Sequence, residues 1–212
     1  MKHLLSLLLI VCLFSLQSAS QKYTITYQSK IWNQNTKKYE NTHKIVLSIS
    51  DSISYEYIRS PYYRIKEPLG KKFVGHSTYK NLSTQKMLSQ SHLFSEVKCL
   101  IVDTIPQIIW KIEKDSAIIL SFKCYKATCE YNNRPYIAWF APDLKPSLGP
   151  SYFGGLPGVI LEMGNSQWMT TAIKVIPEVS QIVEPGEGKK MSSKEFDELK
   201  KSFYEKYNIQ QP

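Results

Sequence analysis

Cysteine is scarce here, four in 212 residues, and Cys12 lies in an apolar leader. Cys99, Cys124 and Cys129 then leave room for one disulfide and one free thiol, and no more. Cys124 and Cys129 stand five positions apart, about 17 Å along a continuous strand, whereas bridged Cα atoms lie within about 7 Å. Cys99–Cys124 is therefore the expected pair, set against three unpaired thiols. No segment after residue 20 is long and apolar enough to span a bilayer as a helix. An arginine-rich stripe is missing and the lysines are scattered in pairs such as Lys37-Lys38 and Lys71-Lys72, so no nucleic-acid partner is expected. The chain also lacks Gly-x-Ser-x-Gly and His-Glu-x-x-His, the commonest hydrolase signatures. Gly186-Glu187-Gly188-Lys189-Lys190 lacks the spacing and the following hydroxyl of a phosphate loop.

What is present begins with an export leader. Lys2 and His3 precede the apolar run Leu4 to Phe14, and Ser18 and Ser20 supply small residues before a cut at Gln21. Val11 is too bulky for a lipobox at Cys12. Residues 1–20 are thus expected to be a signal peptide, placing the protein in the periplasm, at the outer membrane or outside the cell. Cutting after residue 20 of 212 leaves 192 residues, enough for one buried domain over 21–212. Loss of Lys2 takes the net charge from +9 to +8, read as a solvated basic surface.

The pattern is mainly β. Tyr23 to Gln28 alternates, and His43 to Ser50 and Ile53 to Ile58 follow across an Asp51-Ser52 turn. Val97 to Val102 and Ile108 to Ile112 come next. Ala117 to Cys129 reads as one long strand with a bulge near Lys126, returning after Tyr131-Asn132-Asn133-Arg134 through Pro135 to Phe140. Val159 to Met163 and Trp168 to Ile176 form a last hairpin. The fold class is an antiparallel sheet, with a half-barrel or bowl as its curved form, and a carboxy-terminal helix over 192–208. Ser192-x-x-Glu195 is a capping box, and Phe196, Leu199, Phe203 and Tyr207 make one apolar stripe. Pro177 to Lys190 connects sheet to helix.

Residues 134 to 163 carry the most distinctive signal. Pro142, Pro146 and Pro150 impose an ordered extended loop after the aromatic strand. Leu156-Pro157-Gly158-Val159 fits a type II turn leading into strand. The hexapeptide Gly155, Leu156, Pro157, Gly158, Val159, Ile160, with Ala138-Trp139-Phe140, Gly149-Pro150, Trp110-Lys111 and Cys124-Tyr125-Lys126-Ala127, resembles the GLPGLI family of exported Bacteroidota-type proteins. That resemblance implies an envelope protein encoded near outer-membrane receptors and supplies no catalytic residue. A second resemblance, to the amino-terminal bowl-like domain of a bacterial glycan-releasing amidase, implies glycan contact without catalysis in this domain. Asp-Ser/Thr-apolar triplets at Ser52, Thr104 and Ser116 resemble O-glycosylation sites of the same bacterial group.

Two functions follow. The first is non-catalytic binding of a lipid, peptide or glycan, with an outer-membrane receptor as partner, through Tyr136, Trp139, Tyr152 and Phe153. The alternative is a secreted peptide or glycan hydrolase using Asp143 and Glu162, with a Cys124–His92 pair as a weaker variant. His43, His76 and His92 are too widely spaced for a metal motif, and no cofactor is expected.

Overall fold

A computed structural model describes residues 21–59, 76–93, 97–179 and 182–206. The expected leader and Tyr207 lie outside them. The strands are β1 (Lys22–Asn33), β2 (Lys38–Ser50), β3 (Ile53–Arg59), β4 (His76–Asn81), β5 (Lys86–Leu93) and β6 (Val97–Thr104). Then come β7 (Lys111–Ile119), β8 (Phe122–Tyr131), β9 (Arg134–Ala141), β10 (Val159–Gly164), β11 (Trp168–Ile176) and β12 (Lys189–Met191). The helix α1 is Ser193–Lys206. All twelve strands join one sheet in the order β12-β6-β5-β4-β3-β2-β1-β11-β10-β9-β8-β7. Only β12 with β6 is parallel. The sheet is open, with β12 and β7 at its edges, and does not close into a barrel.

Alternation fixes which face is buried. Tyr23 opposes Ile49, Ile25 opposes Leu47 and Tyr27 opposes Ile45, and all six are buried. Their partners on the next strand are Ser54, Glu56 and Ile58, so this face carries a carboxylate into the interior. The proline loop, 142–158, packs against this face through Leu144 and Leu148. Leu144, Leu148, Phe153 and Leu156 are buried, and the amides of Val159 and Ile160 donate to the carbonyls of Leu144 and Leu148. A loop can be buried here because those backbone groups are paired.

The strand expectations hold for most elements, with three differences. Ala117 to Cys129 is two strands, broken by a hairpin turn in which Leu120 and Ser121 have φ of 49° and 68°. Leu-Ser is a poor sequence signal for two left-handed residues, unlike Asn132-Asn133 at the next turn. The bulge falls between Ile112 and Ser116, while Lys126 pairs regularly with Trp139. Ile108 to Trp110 is no strand; the Trp110 indole instead donates to the Gly154 carbonyl at 2.8 Å.

The type II turn is also absent. Gly158 is not among the positive-φ glycines, and its amide donates to the carbonyl of Leu156 at 2.7 Å, a tighter turn around Pro157. Glycine is needed at 158 for space, since a Cβ there would sit 2.1 Å from the Ala141 carbonyl oxygen. The positive φ, +85°, belongs to Gly155.

Ser192 and Glu195 form the capping box: the Ser192 amide and hydroxyl both donate to the Glu195 carboxylate, at 2.7 and 2.8 Å. Phe196 and Leu199 pack on Cys99, Ile101 and Met191, holding α1 against β6. The connection before α1 is tied to the sheet by Lys86–Glu184 at 2.5 Å and by Gln90 Nε2 donating to the Glu187 carbonyl at 2.6 Å.

The cysteine expectation is corrected. Cys99, Cys124 and Cys129 are all buried free thiols. Cys99 lies in β6 against the helix and Cys124 in β8 within the main core, near opposite ends of the strand order.

Candidate ligand pocket

Beside the proline loop the interior face opens into a cavity of about 530 Å³. Its walls come from β1, β2, β3, β4, β10 and β11, and Pro150 and Ser151 close one side. Ile45, Ile58, Met163 and Trp168 give it an apolar lining. Its polar groups are Ser29, Thr42, His43, Glu56, His76 and Thr170, with Lys30 also on the wall. An apolar cleft with a few placed polar groups is the usual make-up of a small-molecule site, and the volume falls within the customary range of about 300–1,000 Å³.

Glu56 is the centre of this arrangement. It is only 2% exposed, and its Oε2 accepts the Ser151 amide at 2.7 Å. Among the described residues nothing donates to Oε1, although Glu56 lines the cavity. Burial raises its pKa, against the opposing pull of Lys80 and the Ser151 amide. Lys80 stands two positions along β4 from Thr78, the residue opposite Glu56, so both charges share a face. Lys80 is fully buried; its Nζ donates to the carbonyls of Gly149 at 2.6 Å and Phe153 at 3.1 Å. Burial lowers its pKa to about 8, with the Glu56 charge acting the other way. Three hydrogen bonds from one charge pair therefore fix the crown of the proline loop, and that crown forms a wall of the pocket.

Lys30 apart, the remaining polar groups are neutral. Burial lowers the pKa of both His43 and His76, leaving neutral imidazoles at pH 7. The Ser29 and Thr170 hydroxyls pair at 2.8 Å, and Thr78 Oγ1 lies 3.4 Å from His76 Nε2.

The residues singled out from sequence fall elsewhere. Tyr136 and Phe153 are buried against each other, ring centroids 5.0 Å apart, and Tyr152 stacks on Phe153 at 4.4 Å and near Tyr131 at 5.3 Å. These three form one aromatic cluster, while Trp139 packs against a different part of the core. Glu162 accepts the Thr171 hydroxyl at 2.7 Å. Both Asp143 and Glu162 lie close enough to push up the Cys124 thiol, but neither lines the pocket. Burial is the larger cause and brings Cys124 to about 11, unlike an activated nucleophile. The His92 side chain lies outside the described residues. Thr104 and Ser116 are exposed, and Ser52 is half-buried with its hydroxyl 2.9 Å from that of Ser83.

Sequence reasoning missed Glu56, Lys80 and Trp168 as site residues. The signal available was in Ile53-Ser54-Tyr55-Glu56-Tyr57-Ile58, where Glu56 shares a strand face with Ile58. A charge on an apolar face requires a partner.

Fold and pocket together define an open-sheet β domain with a loop-lined cavity. Residues 23–202 match the family model of the N-glycanase peptide, N-terminal domain, and the chain belongs to that family. Two solved structures of PNGF-II share the fold. The form in space group C2 has a TM-score of 0.63 and 17% identity, over 85% of this chain and 32% of that one. The P21 form gives 0.64 and 17%, over 84% and 33%. The chain thus spans about a third of the length of these structures. Among curated proteins none matches it.

The family match overturns the GLPGLI assignment. The hexapeptide has a local physical basis: Leu156, Val159 and Ile160 are buried, and Gly158 is confined by the Ala141–Pro142 backbone. Such a packing motif is a weak guide to ancestry beside a match over 23–202.

Proposed function

We propose that this protein is an exported glycan-handling domain that holds carbohydrate for a glycan-processing system and does not cleave it. The family match carries the reading, since the matched family is the N-terminal domain of an N-glycanase. It favours a role tied to glycan hydrolysis over an accessory role beside an outer-membrane receptor. The absence of cleavage is argued from the carboxylates. Among the described residues Glu56 is the one carboxylate lining the cavity, with no second carboxylate beside it to complete an acid–base pair, and Glu162 is bound to Thr171 outside it. Export rests on the leader Leu4 to Phe14 with Ser18 and Ser20 before Gln21.

The test uses the chain from Gln21 onward, immobilised and offered an N-glycosylated protein and its enzymatically deglycosylated form. Retention of the glycosylated form alone, with no glycan released, is expected. Equal retention of both forms would overturn glycan handling. Glycan release by this chain alone would make it a hydrolase.

A further inference from the structure

We infer that the cavity between the proline loop and β1, β2, β3 and β11 is a subsite for a neutral sugar residue, with Glu56 Oε1 accepting a ligand hydroxyl and Trp168 receiving the apolar face of the ring. This deepens the glycan-handling reading and rests on it. Four observations converge on the site. The first is the unmatched half of Glu56: Oε2 is taken by the Ser151 amide, while Oε1 has no donor among the described residues and belongs to a pocket-lining side chain. Oε1 is not a fully buried orphan, a place that Ser54 Oγ alone holds among the described residues; as part of a cavity-lining carboxylate it is an acceptor that a ligand hydroxyl can reach.

The second is the sign of the charge. The cationic member of the pair, Lys80, is committed to the carbonyls of Gly149 and Phe153 and is not part of the pocket wall. The cation that does line the wall, Lys30, is half-exposed, so Glu56 is the buried charge an incoming carboxylate or phosphate would meet, and this disfavours anionic ligands. Third, the neutral imidazoles of His43 and His76 and the Ser29–Thr170 hydroxyl pair offer both donors and acceptors, as a polyol requires. Fourth, Trp168 lines the cavity and packs on Tyr136, with ring centroids 6.1 Å apart. An indole on a cavity wall is a surface on which the apolar face of a ligand ring can stack. A pyranose has this amphipathic form, with hydroxyls at its rim and C–H groups on its faces.

Lys80 enters as a positioning residue. It fixes Gly149 and Phe153 on either side of Pro150 and Ser151, and so fixes the wall against which the sugar would lie.

The probe is N,N′-diacetylchitobiose, a neutral disaccharide, titrated into the isotopically labelled chain from Gln21 and followed by amide and indole NMR shifts. Methyl glucuronide is the anionic comparison. Shifts centred on Ser29, Ser151, Trp168 and Thr170 are expected, with the uronide bound at least about tenfold more weakly. Glu56→Gln should weaken the disaccharide about tenfold, as for loss of a charged hydrogen bond, and Trp168→Ala about tenfold through the lost ring contact. Glu162→Gln, the same change outside the pocket, should leave the affinity as it was. Should Glu56→Gln fail to fold, the wild-type shift map and Trp168→Ala still decide the matter. Shifts confined to another surface, unchanged affinity in Trp168→Ala, or no binding would each overturn the subsite while glycoprotein retention kept the broader function standing. Equal binding of the uronide would overturn the neutral class. Loss of glycoprotein retention itself would remove both.

Discussion

The Lys80 ammonium lies 2.6 Å from the carbonyl oxygen of Gly149, although the two are 69 positions apart. A strand side chain with no exposed surface thereby anchors a loop that could not otherwise be held by a sheet ladder. The charge that makes this contact strong also makes it expensive to bury, and Glu56 on the neighbouring strand offsets part of that cost.

Removing one member of the pair should hurt more than removing both. Lys80→Met leaves Glu56 buried beside an empty partner position and should cost about 3–5 kcal/mol in urea unfolding. Adding Glu56→Gln to Lys80→Met should restore part of this loss. Strictly additive losses in the double-mutant cycle would mean that the two residues do not act as a unit.

The pair also predicts two opposite pH slopes. Lys80 has a folded pKa of about 8, below its ordinary 10.5. Between these values the unfolded chain holds a proton that the folded chain has released, so this contribution to stability rises with pH across the window and the full cost is borne below it. Glu56 has a folded pKa raised above 4.5. Above 4.5 the folded chain keeps a proton that the unfolded chain has lost, so its contribution falls as pH rises towards the folded value. Thermal melts over roughly pH 4 to 10 should show the alkaline slope flattened in Lys80→Met and the acid slope flattened in Glu56→Gln.

Gly158 and Gly186 offer a matched comparison. Alanine at 158 would bring a Cβ to 2.1 Å from backbone that has no freedom to move, whereas at 186 it meets nothing within 4 Å. Gly158→Ala should destabilise by about 3 kcal/mol or more. Gly186→Ala should stay within about 0.5 kcal/mol, as read from circular-dichroism melts.

The β7–β8 turn is stabilisable. Leu120 and Ser121 both occupy left-handed backbone, which costs an L-residue about 1–2 kcal/mol. Replacing them with Asn and Gly should raise stability by about 1 kcal/mol and sharpen the hairpin resonances. A fall in melting temperature would show that the Leu120 side chain contributes more than the turn geometry.

The thiols should be silent in the native protein. Burial brings Cys124 and Cys129 to about 11 and raises Cys99 as well. Iodoacetamide at neutral pH should label none of the three before unfolding and all three after, counted by intact mass.

Much of the sheet was legible because its strands obey a two-residue period. Tyr23-x-Ile25-x-Tyr27 and Ile45-x-Leu47-x-Ile49 declare their buried faces without reference to anything distant. The Ser192–Glu195 cap was equally local. The pocket was illegible for the complementary reason. Glu56 and Ser151 stand 95 positions apart, and Lys80 reaches Gly149 and Phe153 from a third segment, so no spacing rule links them. The aromatic residues of the proline loop and of the cavity are different sets. Tyr136 and Phe153 are core and Tyr152, half-buried, packs on them, while Trp168, one residue among many in the last hairpin, is the aromatic that lines the cavity.

The two edges of the sheet are unequal, and this limits how copies of the domain can associate. At one end β12 offers only Lys189–Met191, with α1 packed against the neighbouring β6. At the other, β7 runs Lys111–Ile119 with Ile112 and Ile118 exposed. Strand addition therefore has one productive docking direction. Two molecules joined through β7 would each spend their single long edge on the other, and the assembly would terminate at a pair instead of growing into a fibre.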